Sequence, residues 1–255
     1  MLRDTWLIFR RDIVMSLRNP AWIMIGIMQP LLYLFLFGPM FAKVADSTPG
    51  FPPGNGWMVL TPALIVQLAL FGSSFVGFSL LADYRTGVVE RLRVTPVSRV
   101  ALLLGKVLAN ALQAIVQSIL IVVMAFLIFD LDAPIAGILL TMVIVALLAV
   151  TLASCSYALA LSIKSEEAFP AILNAVLMPL LLLSGILLPI TTGLAPRWLY
   201  NIARFNPFRY VVDAGRASFR GDFTMDALFT GCVVLVVMTV LAVWWGARTF
   251  QRENA

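Results

Sequence analysis

The stretch ADYRTGVVERLRVTPVSRV (Ala82–Val100) places Asp83, Arg85, Glu90, Arg91, Arg93 and Arg99 between two long apolar runs. Inside hydrocarbon each of these charges would cost about 2.5–3.5 kcal/mol even on the lenient insertion scale, roughly 15 kcal/mol in all. The segment therefore lies outside the lipid, and the apolar runs that flank it lie within. The rest of the chain fits that division. It is 61% hydrophobic and only 12% charged, its mean hydropathy is +0.97, and several runs exceed the roughly 18 residues that mark a spanning helix.

The apolar runs are Ala21–Ala42, Trp57–Ala82, Leu102–Phe129, Pro134–Ile163, Ala168–Pro189 and Leu228–Gly246. Each is long enough for a hydrocarbon core of about 30 Å. The expected fold is thus all-α: one polytopic membrane domain over residues 1–255 with six transmembrane helices. No stretch remains for a water-soluble catalytic domain. The first run is too long for a signal-peptide core and lacks a small-residue cleavage site after it. Cys155 and Cys232 both fall inside apolar runs, so they indicate neither a disulfide framework nor a metal site.

Six spans put both termini on one side. Twelve of the 18 Lys and Arg fall on that side, among them Arg3, Arg10, Arg11, Arg18, Lys106, Lys164, Arg248 and Arg252. By the positive-inside rule the termini are cytoplasmic and the protein sits in the cell membrane. The net charge of +5 then reflects cytoplasmic ends and contact with anionic membrane lipids rather than nucleic acid. The exception is the last outer connection, Ile190–Asp226, which holds Arg197, Arg204, Arg209, Arg216 and Arg220. Either APRWLYNIARF (Ala195–Phe205) lies in the outer interface, anchored by Trp198, Tyr200 and Phe205, or one span is miscounted and the loop is cytoplasmic. The first reading leaves no apolar run without a place.

At the N-terminus, Leu2, Trp6, Phe9, Ile13 and Leu17 share one side of a helical projection, with Asp4, Arg11, Asp12 and Arg18 on the other. Residues 1–19 therefore form an interfacial helix on the cytoplasmic surface, which also carries Arg10. A plain membrane anchor explains the pattern, and contact with a partner is the alternative.

What the spans lack narrows the function. Lys106, near a boundary, is their one ionisable group apart from the cysteines and tyrosines, and the chain has no His. Proton- and ion-driven transport requires ionisable relays in the membrane, so a self-powered transporter is disfavoured. No metal-ligand set or nucleophile–base pair exists for an intramembrane protease, and no catalytic residues are expected. The only Gly-Lys pair, Gly105-Lys106, precedes Val107 rather than Ser or Thr, so there is no phosphate loop.

The spans do contain amides. Asn110, Gln113 and Gln117 are spaced i, i+3, i+7 on one face of the third span, with Gln29, Gln67 and Asn174 elsewhere. They either hydrogen-bond neighbouring helices or, with Gln67 and Asn174, line a substrate path. Phe71, Phe75 and Phe78 read as packing or lipid-facing residues. Ala149, Ala153, Ser154, Ala158 and Ser162 suit close helix packing, and Pro170, Pro179 and Pro189 make the fifth span a place for kinks or a break. In the quoted stretch, Val88, Val89 and Leu92 form an apolar edge, Arg85, Glu90, Arg91 and Arg93 a charged one, and Thr95-Pro96 stops a short helix. Periodicity alone allows a solvated loop helix or a docking surface.

Several motifs carry a resemblance. Gly87, Glu90, Arg91 and Leu92, then TPVSR (Thr95–Arg99), LLLGK (Leu102–Lys106) and NPFRYVVDAGR (Asn206–Arg216), are similar to membrane subunits of type-2 ATP-binding-cassette exporters. FRRDIVMSLRNPAWI (Phe9–Ile23) and MQPLLYLFLFG (Met28–Gly38) extend the likeness to nearly the whole chain, nearest the daunorubicin/doxorubicin-resistance permeases. The resemblance implies a permease that pairs with a second permease, identical or homologous, and with two separate ATPase subunits that bind ATP and Mg, leaving no cofactor in this chain. It implies that residues 83–97 form a coupling helix on the ATPase, with Asp83, Arg85, Gly87, Glu90, Arg91, Leu92, Arg93, Thr95 and Pro96 as contacts. It also implies short re-entrant helices within residues 190–226, where Trp198, Asn206, Pro207 and Arg209 fall. The expected cargo is a hydrophobic or amphipathic small molecule, as in multidrug efflux and antibiotic resistance, although lipid, glycan and peptide exporters share this type of subunit. An ATP-independent channel or scaffold is the competing class.

Overall fold

The computed structural model describes residues 2–18, 21–47, 56–85, 99–129, 131–223 and 226–252. Among them are α1 (Leu2–Arg18), α2 (Ala21–Ser47), α3 (Gly56–Ser74), α4 (Gly77–Arg85), α5 (Arg99–Phe129), α6 (Ile135–Ile163), α7 (Ala168–Leu183), α8 (Arg197–Ala203), α9 (Pro207–Phe219) and α10 (Asp226–Arg252), with no strands. The all-α expectation holds. Five helical stretches, Met24–Val44, Gly56–Ala82, Val100–Phe129, Ile135–Ile163 and Asp226–Phe250, are long and apolar enough to cross a membrane. The sixth expected crossing differs: α7 has 16 residues, about 24 Å, against a core of about 30 Å. It stops at Ser184, whose hydroxyl donates to the Leu181 carbonyl. Gly185 follows at φ +75°, a left-handed turn that favours glycine.

The helices share two ends. At the α1 end, Leu80 of α4, Leu103 and Val107 of α5, Tyr157 and Leu161 of α6 and Phe250 of α10 form one apolar cluster. At the α9 end, Trp57 of α3 stacks on Phe129 of α5 with centroids 4.1 Å apart, and Phe35 of α2 meets the same ring edge-on at 5.6 Å. The α3 helix is central: 15 of its 19 residues are buried, and it packs on α2, α5, α6 and α9. A helix without a polar face is what such a position demands.

Small residues set the closest approaches. Ala149, Ala153, Ser154 and Ala158 of α6 are buried as expected, whereas Ser162 is exposed. Gly246 of α10 sits against the Ser154 carbonyl, and a Cβ on Gly231 would overlap Tyr210. A Cβ on Gly137 would likewise overlap the Ser218 carbonyl, backbone that has no side chain to swing away. Gly137→Ala should therefore cost about 1–3 kcal/mol through forced separation of α6 and α9, seen as a lower unfolding midpoint in detergent. Gly72→Ala is the control, because a Cβ there meets nothing within 4 Å and alanine favours the helix by up to about 1 kcal/mol. A midpoint for Gly137→Ala at or above the parent's would contradict this packing.

Candidate functional site

The charged connection begins in α4, whose backbone includes Asp83 and Arg85. Gly87, Glu90, Arg91, Leu92, Arg93, Thr95 and Pro96 lie outside the described residues, so the expected coupling helix meets the structure only at its first residues. The helix α1 packs on α5, the helix that follows this connection in the chain. Gly105 makes this contact possible, since a Cβ there would lie 2.8 Å from Ile8 Cβ and 3.0 Å from the Thr5 carbonyl.

The helix α1 turns a stripe of Thr5, Ile8, Phe9, Asp12, Ile13 and Ser16 toward the bundle, all partly buried. Only Phe9 and Ile13 of the expected apolar face belong to it. Leu2, Trp6 and Leu17 are exposed, Trp6 at 61%, and Trp6 stacks on Phe9 at 5.4 Å. Arg3, Arg10, Arg11 and Arg18 are exposed beside them. The sequence showed one apolar face where there are two adjacent surfaces, one against α5 and one open, because a projection cannot say which sector the neighbouring helix takes.

The three amides of α5 face different helices. Asn110 Nδ2 donates to Ser73 Oγ of α3 at 2.8 Å, and Gln113 Oε1 accepts from Ser16 Oγ of α1 at 3.2 Å. Gln117 is buried next to Gly26 of α2, where a Cβ would stand 2.7 Å from its Nε2. One face of α5 thus reaches three helices, the inter-helix bonding that amides supply in membranes. Gln67 is only 2% exposed in α3, and its Oε1 has no hydrogen-bond partner. Asn174 lies on the exposed side of α7, opposite the buried stripe Phe169, Leu173, Leu177 and Leu181.

The second apolar run is not one helix, as the sequence suggested, but two. The break falls at Phe75–Val76, where Ser156 of α6 intervenes. Its Oγ donates to the Ser74 carbonyl at 2.5 Å and accepts from the Gly77 N–H at 2.9 Å. One hydroxyl satisfies two of the backbone groups freed by the break, the kind of intrusion that interrupts a helical ladder. The sequence signal was GSSFVG (Gly72–Gly77), small and polar residues inside an apolar run.

At the α9 end, the NPFR motif has a concrete role. Asn206 caps α9, its Oδ1 accepting from Phe208 N at 3.0 Å, with Pro207 in the first turn. Its Nδ2 donates to the Leu180 carbonyl at 2.7 Å, tying the cap to α7. Arg209 donates to the Ile190 carbonyl at 3.1 Å and lies over the Tyr200 ring at 4.5 Å. Arg216, 3% exposed, donates from Nε to Val59 O at 3.2 Å and from Nη2 to Gly185 O at 2.8 Å, with Asp213 at 3.7 Å. Burial pushes its guanidinium down to about 10, Asp213 pulling the other way, so it remains a cation at neutral pH. Two of the five arginines that broke the charge rule are therefore consumed by internal contacts. Trp198, in contrast, is exposed. No group of His, Cys, Asp and Glu suited to a metal occurs among the described residues.

The family described as ABC-2 type transporter matches residues 3–219. Among similar proteins, a daunorubicin resistance ABC transporter permease protein, DrrB1, of Streptomyces coeruleorubidus is 26% identical over 92% of this chain and 82% of its own. A protein of Cyanophora paradoxa named as a transport permease, ycf38, is 25% identical over 83% of this chain and 72% of its own. An Escherichia coli K12 protein named as a multidrug ABC transporter permease, YbhR, is 28% identical over 77% of this chain and 53% of its own. A match running from α1 to the end of α9, on an all-helical chain with several helices long and apolar enough to span, makes this a multi-pass membrane protein of the ABC-2 type transporter family.

Proposed function

We propose that this chain is the permease of an exporter that moves a hydrophobic or amphipathic compound, drug-like or lipid-like, out across the cell membrane by alternating access. The observation that carries the reading is the family match over residues 3–219, which takes in the charged connection after α4; the printed names of the relatives add drug resistance. ATP and Mg belong to two separate ATPase subunits, and a second permease, identical or homologous, completes the assembly. Residues 83–97 dock on the ATPase beside α1, both termini are cytoplasmic, and α7 completes a sixth crossing. In this orientation α8 and α9 form the outer re-entrant region. The domain is single.

The test is gentle purification of the full chain from its native membrane, with mass spectrometry of whatever co-purifies and the ATPase rate in nanodiscs. The expected result is a phosphate-loop ATPase that is lost when residues 83–96 are scrambled, and daunorubicin as first probe for a change in its rate. Ion flux in vesicles without any ATPase would instead support the channel reading.

A further inference from the structure

The break between α3 and α4 stands directly before the segment read above as the ATPase contact, and the two helices are held very differently. Residues of α3 are buried on nearly all sides. The nine residues of α4 pack mainly on α6, with Leu80 and Leu81 buried and Ser79 and Ala82 exposed. We propose that Phe75–Gly77 is a pivot: α4 tilts as a lever while α3 stays fixed, and Ser156 is the positioning residue that keeps both sides of the pivot satisfied. The proposal rests on the permease reading and adds to it a route for the motion.

Three features support a pivot over a fixed kink. First, a continuous ladder would hold α3 and α4 as one rod, whereas here one freed group from each side, the Ser74 carbonyl and the Gly77 N–H, meets on a rotatable hydroxyl that can follow a change of angle. Second, glycine is required at the pivot itself. A Cβ on Gly77 would lie 2.6 Å from Phe169 Cζ and 2.7 Å from the Ser156 carbonyl. Third, the pivot has an outlet. Phe78, one residue on, meets Phe169 edge-on at 5.1 Å, and Phe169 is fully buried in the first turn of α7. A tilt of α4 therefore reaches α7 through the Phe169 ring, which both Gly77 and Phe78 meet. Motion arising at residues 83–97 would thereby bypass α3 and arrive at α7.

The experiment uses the full chain with its co-purified ATPase in nanodiscs, with Cys155→Ala and Cys232→Ala as background. Spin labels at Ala82→Cys and Ser162→Cys report α4 against α6, and labels at Gly72→Cys and Val143→Cys report α3 against α6. A tilt of about 15° moves Ala82, about 7.5 Å along α4 from Gly77, by roughly 2 Å. The expected result is a shift of that size in the first pair between nucleotide-free and vanadate-trapped states, with the second pair unchanged. Ser156→Ala should broaden the first distribution in both states and leave the second alone. Equal shifts in both pairs would show a rigid rod and overturn the pivot, as would no shift in either while the bound ATPase turns over. Should Ser156→Ala fail to fold, the parent measurement decides by itself. Failure to recover any ATPase with the parent chain is a separate result, visible before labelling, and would remove the permease reading together with the pivot built on it.

Discussion

Arg216→Ala should leave the protein markedly less stable, by about 3 kcal/mol, without any change near α1. The guanidinium joins the start of α3, the turn after α7 and its own helix, through the carbonyls of Val59 and Gly185 and the Asp213 carboxylate. Hydrogen bonds from a charged donor contribute about 1.5–3 kcal/mol each, and truncation removes both. Part of that loss is offset, because the depressed guanidinium shows that desolvation outweighs the pull of Asp213. Against a typical net stability of about 5–15 kcal/mol the remainder is large. Arg216→Lys keeps a charge but not a planar fork that reaches two carbonyls at once, so it should fall between Ala and the parent. Arg204→Ala, at an exposed position, should match the parent. Unfolding midpoints followed by size-exclusion fluorescence in one detergent check all three, and an Arg216→Ala protein as stable as Arg204→Ala would mean that the tie carries no weight.

The same arginine shows what a sequence conveys and what it withholds. Apolar runs of 20 or more residues reveal long helices because each must satisfy its own backbone in lipid, and five stretches came out long and apolar enough. The shortness of α7 was partly legible: Pro179, Ser184, Gly185 and Pro189 cluster where the helix ends. Position along the chain does not reveal long-range partners. Arg216 meets Val59 across 157 residues and Ser156 meets Gly77 across 79, and no local periodicity encodes such pairings. The positive-inside count treats each arginine as a solvated charge, so an arginine spent on internal carbonyls looks like a violation. The amide face of α5 was visible as a pattern, but its neighbours were not: Asn110 bonds α3, Gln113 bonds α1 and Gln117 lies against Gly26 of α2.

Glu90→Arg and Gly87→Pro should each abolish nucleotide-driven transport while leaving insertion and the unfolding midpoint unchanged. Both positions lie in the segment proposed to meet the ATPase, outside the described residues. Reversing a charge at a contact sets like against like, which costs several kcal/mol in a specific interface. Proline in a short helix removes an N–H and collides with the preceding turn, at about 3 kcal/mol or more. A coupling free energy is typically 1–3 kcal/mol, a factor of about 5–150, so either change is large enough to remove it entirely. The readouts are daunorubicin uptake into inside-out vesicles with ATP, the ATPase rate, and the amount of ATPase that co-purifies. Glu90→Arg should lose bound ATPase, because the contact itself is reversed. Gly87→Pro should keep its ATPase bound yet uncoupled, turning over without uptake, since it alters the shape of the proposed coupling helix rather than its charge. Transport at the parent rate in both variants would place the coupling contact elsewhere, and the exposed arginines of α1, which packs on α5, would become the surface to test.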